Sequence, residues 1–279
     1  MQKFSTDKIS FSNFLIYSVF ILVLIVCFLP FFIMLINATH SNAALSSGMY
    51  VVPGEFFLRN YSYLLARTNI WRGFLNSSLI TVPATVISAY VCSLAGYGFS
   101  KFSFRGKNIL FWFILANLMI PREATLIGLY EFGRRIGLLD TLLIVMLPSI
   151  VMPHAVFWLR MYCDSGIPKS LMESARMEGC GELAIFHHII FHMIKPALAT
   201  ISIINFVQTW NNYIVPLIMI NSSEKKPLPV MVAEMSDMFE TDLGAQYVGI
   251  AISIVPIIIV YSFLSKWIVG GLKMGAVKG

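Results

Sequence analysis

Five runs of this chain contain no Lys, Arg, Asp or Glu and are 19 to 28 residues long: Phe14–Ile36, Phe74–Ser100, Thr141–Leu159, Pro196–Ser223 and Leu243–Ser265. Crossing roughly 30 Å of hydrocarbon takes about 20 helical residues, so each run reads as a membrane span. The chain is 57% hydrophobic and only 12% charged, too apolar for a soluble core of 279 residues. The expected fold class is therefore all-α and polytopic.

A sixth crossing is expected at the weaker run Asn108–Pro121, which supplies 14 uncharged residues before Arg122 and Glu123. A helix starting near Arg105, with that side chain snorkelling to the interface, extends it to a span. The reading is one membrane domain over 1–279 with six transmembrane helices at about 14–36, 74–100, 105–121, 141–160, 196–221 and 243–265, and an inside loop at about 164–195. Six spans put both termini on one side. Basic residues favour the cytoplasmic side of a membrane. Lys3, Lys8, Lys101, Arg105, Lys107, Arg160, Lys169, Arg176, Lys195, Lys266, Lys273 and Lys278 fall in the set of loops that includes the termini, and eight fall in the other set. Both termini are accordingly expected in the cytoplasm.

The net charge of +6 then reflects topology, and no basic patch with interleaved aromatics points to nucleic acid. Cys27, Cys92, Cys163 and Cys180 form no C-x-x-C pair and are expected as free thiols. The first apolar run has 23 residues, longer than the apolar region of a signal peptide, and reads as an uncleaved anchor. Between the first two spans, Phe56, Phe57, Tyr61, Tyr63 and Trp71 suit a segment lying along the lipid–water interface.

The inside loop carries the most information. Ser170 and Glu173 stand at capping-box spacing, which predicts a helix from about Leu171. Gly179 and Gly181 are placed to end it in the left-handed conformation. A second helix is expected from Glu182 toward Lys195, with Leu183, Phe186, Ile190 and Ile194 on one stripe. Leu171, Met172, Met177, Phe186, Ile189 and Phe191 would then expose an apolar surface beside Glu173, Arg176, Glu178 and Glu182, a composition suited to protein contact.

This loop resembles a known family. Glu173-Ser174-Ala175, Gly179 and Ile189 match the EAA motif of importer-type ABC permeases, with Ser174 in place of the second-position alanine and His192 where the motif has proline. Thr209-Trp210-Asn211-Asn212-Tyr213 with Pro216-Leu217, the terminal segment Gly270–Gly279, Met119-Ile120-Pro121 and Gly137-Leu138-Leu139-Asp140-Thr141 are similar to segments of the carbohydrate-uptake permeases. The resemblance implies the type I ABC importer permease fold and a subunit that translocates a di- or oligosaccharide. It implies as partners a second permease in a heterodimer, a cytoplasmic ATPase dimer holding ATP and Mg, and an extracytoplasmic sugar-binding protein. By the same resemblance, Glu173, Ser174, Ala175, Glu178, Gly179 and Ile189 are the ATPase-coupling residues.

Asn205, Gln208, Trp210, Asn211, Asn212 and Tyr213 bring amides and aromatics into a membrane segment. Asn205, Gln208 and Asn212 stand at i, i+3 and i+7 and are expected on one face. Such groups bind sugars, amides to hydroxyls and rings to C–H surfaces, and they also bond helix to helix; both readings stand. His188 and His192 have the spacing of two metal ligands but lack an accompanying Glu, and no metal site is read there. No G-x-x-x-x-G-K-[ST] occurs, so the chain is expected to be no enzyme, to bind no cofactor itself and to borrow its ATPase. The alternative is a proton-coupled secondary transporter using His154 or an outside acid such as Asp140. That reading calls for carboxylates within the spans.

Overall fold

A computed structural model describes the backbone of residues 11–238 and 242–276, and the side chains within 13–121, 123–235 and 242–267. Lys3, Lys8, the Lys273 side chain, Lys278 and the end of the Gly270–Gly279 segment lie outside these residues. In chain order the helices are α1 (Phe11–Asn37), α2 (Asn42–Ser47), α3 (Phe57–Arg67), α4 (Ile70–Lys101), α5 (Lys107–Ala116), α6 (Thr125–Arg135), α7 (Leu142–Met146), α8 (Pro153–Gly166), α9 (Lys169–Met177), α10 (Glu182–Ile185), α11 (Phe191–Met193), α12 (Lys195–Trp210), α13 (Ile214–Met219), α14 (Leu228–Met238) and α15 (Leu243–Ala276).

The expectation of six spans is corrected. Among the described residues, four helical stretches are long and apolar enough to cross a membrane: Asn13–Asn37, Ile70–Lys101, Leu142–Gly166 and Leu243–Trp267. A fifth exists only if Glu182–Met193 and Lys195–Trp210, bent by 78°, count together. The run expected at 105–121 forms the shorter apolar helix Lys107–Met119. Gly106, at φ 81°, breaks the backbone after Arg105, and a turn of 3-10 helix at Asn117–Met119 leads into Pro121. At about 1.5 Å per residue this helix falls short of the roughly 30 Å hydrocarbon layer. The run at 196–221 is also not one helix, since α12 stops at Trp210 and α13 starts at Ile214. Conversely α8 continues to Gly166, so the loop expected from about 164 begins at Ile167.

The fold divides into two compact units. One comprises residues up to Thr68 with Met235–Ile252. Here Asn60 of α3 is buried and gives its amide to the carbonyls of Ala38 and His40, both at 2.9 Å. This satisfies the main chain where α1 ends. Gly244 packs so closely on Asn60 and the His40 carbonyl that no side chain fits there.

The other unit comprises Asn69–Glu234 and the chain from Ser253 onward. Helix α4 is its axis, started by Asn69, whose side chain accepts the Arg72 N–H. Helix α8 runs in the same direction as α4: Cys92 Sγ meets the Met152 carbonyl, and further along Ser100 Oγ donates to Asp164 at 2.6 Å. The residues between must return the chain from one end of α4 to the other. Helices α4 and α8 approach closely at Gly96, where a Cβ would lie 2.6 Å from Leu159 Cβ and 2.9 Å from Arg160 N. Small residues at such points let helix backbones meet within a bilayer. Helix α12 runs antiparallel to α4, with Phe186 just before it beside Tyr97 and Trp210 at its end beside Phe74.

Two cores follow from this arrangement. One, at the end holding Lys101 and Ile167, gathers Tyr97, Leu159, Met172, Ile185, Phe186 and Ile194. The second, at the opposite end, gathers Ile80, Ile144, Val145, Met219 and Ile220.

Candidate functional site: the elbow between α9 and α10

Helix α9 buries Met172 and Ala175, three residues apart, and exposes Glu173, Ser174 and Arg176. This is one face of a 3.6-residue period. The capping box expected at Ser170 and Glu173 is not made. The helix starts two residues earlier, at Lys169 behind Pro168, and no side chain caps it. Ser170 is thereby carried inside the first turn, where its hydroxyl has passed the capping position.

Its other end follows the sequence expectation at Gly179. Gly179 sits at φ +83°, its N–H bonds the Arg176 carbonyl at 3.0 Å, and the Cys180 N–H bonds the Ala175 carbonyl at 3.0 Å. These two bonds are the Schellman closure that a left-handed residue permits. Gly181 does not share that role: at φ −72° and ψ 158° it is extended and leads into α10. Across the turn, Arg176 Nε bonds Glu182 Oε1 at 2.6 Å and locks α9 to α10. The Glu182 carboxylate holds the Arg176 guanidinium above its ordinary range.

Beyond Glu182 the helical path continues through a π-helical turn at Phe186–Ile190. Phe186, Ile190 and Ile194 are buried, as the expected stripe requires, but Leu183 is 67% exposed and Ile185 takes the inner place. The π turn inserts one residue into the period and moves the buried face. The loop also exposes less apolar surface than its composition foretold. Met172 and Phe186 are buried and Leu171, Ile189 and Phe191 are half-buried, because the elbow packs back onto Tyr90 and Tyr97 of α4. What remains outward is Met177, 89% exposed, and Leu183, beside Glu173, Ser174, Glu178 and Gly179. Of the predicted coupling residues, then, Glu173, Ser174, Glu178 and Gly179 are exposed, Ala175 is buried, and Ile189 is half-buried against the core that includes Ile185 and Phe186.

The histidines serve the helix. The Nδ1 atoms of His187 and His188 pair with the carbonyls of Leu183 and Ala184, and that of His192 with the His187 carbonyl. His187 Nε2 reaches the Tyr90 hydroxyl at 3.0 Å. No group of three metal-ligating side chains occurs among the described residues. With His192 where the motif has proline, the helix runs on to Met193 and bends at Ile194, just before Pro196.

Along α12 the predicted pathway residues separate. Asn205, 1% exposed, donates Nδ2 to the Ser149 carbonyl at 3.1 Å and accepts the Thr209 hydroxyl at 2.9 Å. Trp210 is buried between Phe206 and Phe74 and donates Nε1 to the Ser253 carbonyl at 2.9 Å. Gln208, Asn211 and Tyr213 are exposed and Asn212 is half-buried. The common face expected for Asn205, Gln208 and Asn212 does not form, because α12 ends before Asn212, whose Oδ1 instead accepts the Val215 N–H.

One residue matters more than the sequence indicated. Asp140 adopts φ 59°, and its carboxylate accepts the N–H groups of Asn221 and Ser222, the Ser222 hydroxyl and the Lys225 ammonium. The Ser222 hydroxyl and N–H, with Lys225 and Asn221, hold that carboxyl well below the usual carboxylate range, against a smaller opposing effect of burial. The sequence pointed here through the Gly137–Thr141 segment, similar to the carbohydrate-uptake permeases, and through Gly137 and Asp140, residue types that tolerate a left-handed backbone.

A family model described as "binding-protein-dependent transport system inner membrane component" matches residues 82–273. An arabinooligosaccharides transport system permease protein of Bacillus subtilis, AraQ, is 31% identical over 99% of this chain and 98% of its own length. Its namesake from Halalkalibacterium halodurans is 34% identical over 81% of each chain. Among solved structures, a bacterial ABC transporter involved in the import of the acidic polysaccharide alginate superposes with a TM-score of 0.77 at 24% identity, over 95% of this chain and 99% of that one. The last likeness is one of fold.

Proposed function

Since the chain belongs to the family of binding-protein-dependent transport system inner membrane components, we infer that it is the permease component of an ABC-type sugar importer that works with a separate ATPase subunit. It is not itself catalytic; ATP and Mg are the business of that ATPase. The observation that carries the coupling role is the exposed patch around Gly179, where Met177 and Leu183 stand in solvent beside Glu173 and Glu178 on a turn pinned by Arg176 and Glu182. Two bulky apolar side chains on such a turn suit a protein groove.

The family sets the partners in outline: a permease pair, an ATPase and a binding protein. Our finer reading is a heterodimer with a second permease, an ATPase dimer docked at the elbow and an extracytoplasmic sugar-binding protein opposite, with 1–279 acting as one transmembrane domain in a bacterial inner membrane. The elbow end is placed in the cytoplasm. Lys101, Arg105, Lys107, Arg160, Lys169 and Lys195 lie toward that end, which supports it by the preference of basic residues for the cytoplasmic side. Lys195 also lies 5.6 Å from the Trp267 ring, so the far part of α15 returns to the same end. Both termini are placed there too. The substrate proposed is an oligosaccharide, in keeping with the two relatives named for arabinooligosaccharides.

The test is a photo-crosslinker at Met177 in native membranes, followed by transport of labelled arabinotriose, lactose and raffinose by the reconstituted complex. Capture of an ATPase together with ATP-dependent uptake of a sugar supports the reading. Uptake by the isolated chain, driven by a proton gradient, overturns it.

A further inference from the structure

The break between α12 and α13 lies between two differently anchored segments. Helix α12 continues from the elbow through the bend at Ile194. Beyond the break, α13 ends in a segment held from two sides. The Asp140 N–H donates to the Met219 carbonyl at 2.8 Å, and the Asp140 carboxylate and carbonyl together hold Asn221, Ser222 and Lys225. From α4, Arg72 Nε and Asn76 Nδ2 donate to the Glu224 carbonyl at 3.2 and 2.8 Å, and Asn76 also reaches the Lys226 carbonyl at 3.0 Å. The outer start of α4, the turn at Asp140 and the segment 219–226 are thus tied into one block. Asn211, Asn212 and Tyr213 are the residues between α12 and α13, and α13 enters that block at Met219.

A helix break acts as a hinge only if one side of it stays in place when the other moves. We propose that Asp140 is a positioning residue that fixes the 219–226 block, so that displacement of α12 by the ATPase is taken up at Asn211–Tyr213 and is not spread into the outer segment. The proposal rests on the coupling function inferred above. Its physical basis is that an ionised carboxylate accepting two main-chain N–H groups, a hydroxyl and an ammonium is strongly directional, and its bonds are of the charge-assisted kind. The exposed Asn211 and Tyr213 would then change their setting with each ATPase cycle, beside a stationary outer block.

The experiment uses the purified importer in nanodiscs, with the exposed Cys27 and Cys180 replaced by Ser and a single Cys introduced at Asn212, Ser223 or Met177. Maleimide labelling rates are measured with and without MgATP–vanadate trapping. Trapping is expected to change the rate for Asn212→Cys by about tenfold, within the ordinary range of conformational coupling, and to leave Ser223→Cys within about twofold. With Asp140→Ala, or the isosteric Asp140→Asn should the first not assemble, the nucleotide response is expected to appear at Ser223→Cys and to shrink at Asn212→Cys. A rise at Ser223→Cys that is equal with and without nucleotide means a merely structural role and overturns the proposal. So does an unresponsive Asn212→Cys in the parent complex while Met177→Cys on the elbow responds. Silence at both positions in the parent complex instead refutes the coupling function, and the hinge falls with it.

Discussion

Replacing Gly179 separates backbone conformation from partner contact. Its φ of +83° lies where an ordinary side chain is strained, yet a Cβ built there meets nothing within 4 Å. Gly179→Ala therefore costs only the left-handed penalty, about 1 kcal/mol, or roughly a fivefold shift in the population of the closed turn. Gly179→Asn and Gly179→Asp tolerate that conformation better and have nearly the same size, so they differ in charge alone. With Glu173 and Glu178 already on the exposed face, Asp adds a third negative charge at the proposed docking surface. The expected order of binding-protein-stimulated ATPase activity is wild type, Asn, Ala and then Asp, with Asp unstimulated while the ATPase's basal rate persists. The assay is ATP hydrolysis by the reconstituted complex with and without loaded binding protein, alongside co-purification of the ATPase. Equal activity of Asn and Asp would refute a close contact at this glycine. An Ala variant as damaged as Asp would mean that the turn geometry, and not the contact, carries the function.

Three further outcomes are expected. Gly96→Val drives a branched side chain into Leu159 and the Arg160 main chain and should destabilise the α4–α8 contact by about 1–3 kcal/mol; Gly98→Ala, at a site with open space, should be neutral or stabilising in the same thermal melt. Because the folded Asp140 carboxyl is depressed, its contribution is present above the unfolded value of about 3.9 and is lost as pH falls through the lower folded value; the protection of the Asn221 and Ser222 amides relative to their intrinsic exchange rates should thus hold from neutral pH downward and be lost only well below about pH 4. Asn205→Ala removes a donor to Ser149 and an acceptor for Thr209, costing about 1–3 kcal/mol in melting stability; if Asn205 serves packing, the KM for sugar stays unchanged, and a raised KM would return it to the pathway.

Much of the elbow between α9 and α10 was readable because its determinants are local. Gly179 ends α9 as its position foretold, and the Arg176–Glu182 pair spans only six residues. The number of crossings was less readable. Absence of charge marks where lipid is tolerated, but Gly106, Pro121 and the amides at Asn211–Asn212 decide where a helix starts and stops, and they cut two of the expected runs. Ser170 and Glu173 had the spacing of a capping box, yet Pro168 already led into the helix from outside it.

By itself the sequence determined an all-helical membrane protein, a polar elbow turning at a pair of glycines and the family that such an elbow marks, since hydropathy and left-handed turns depend on residues near in the chain. Only the tertiary structure decided which apolar side chains of the elbow are outward, that Asn205 and Trp210 join helices, and that Asp140 grips a segment some eighty residues away. Each of those outcomes depends on what a distant part of the chain places opposite a side chain, and no local pattern records that.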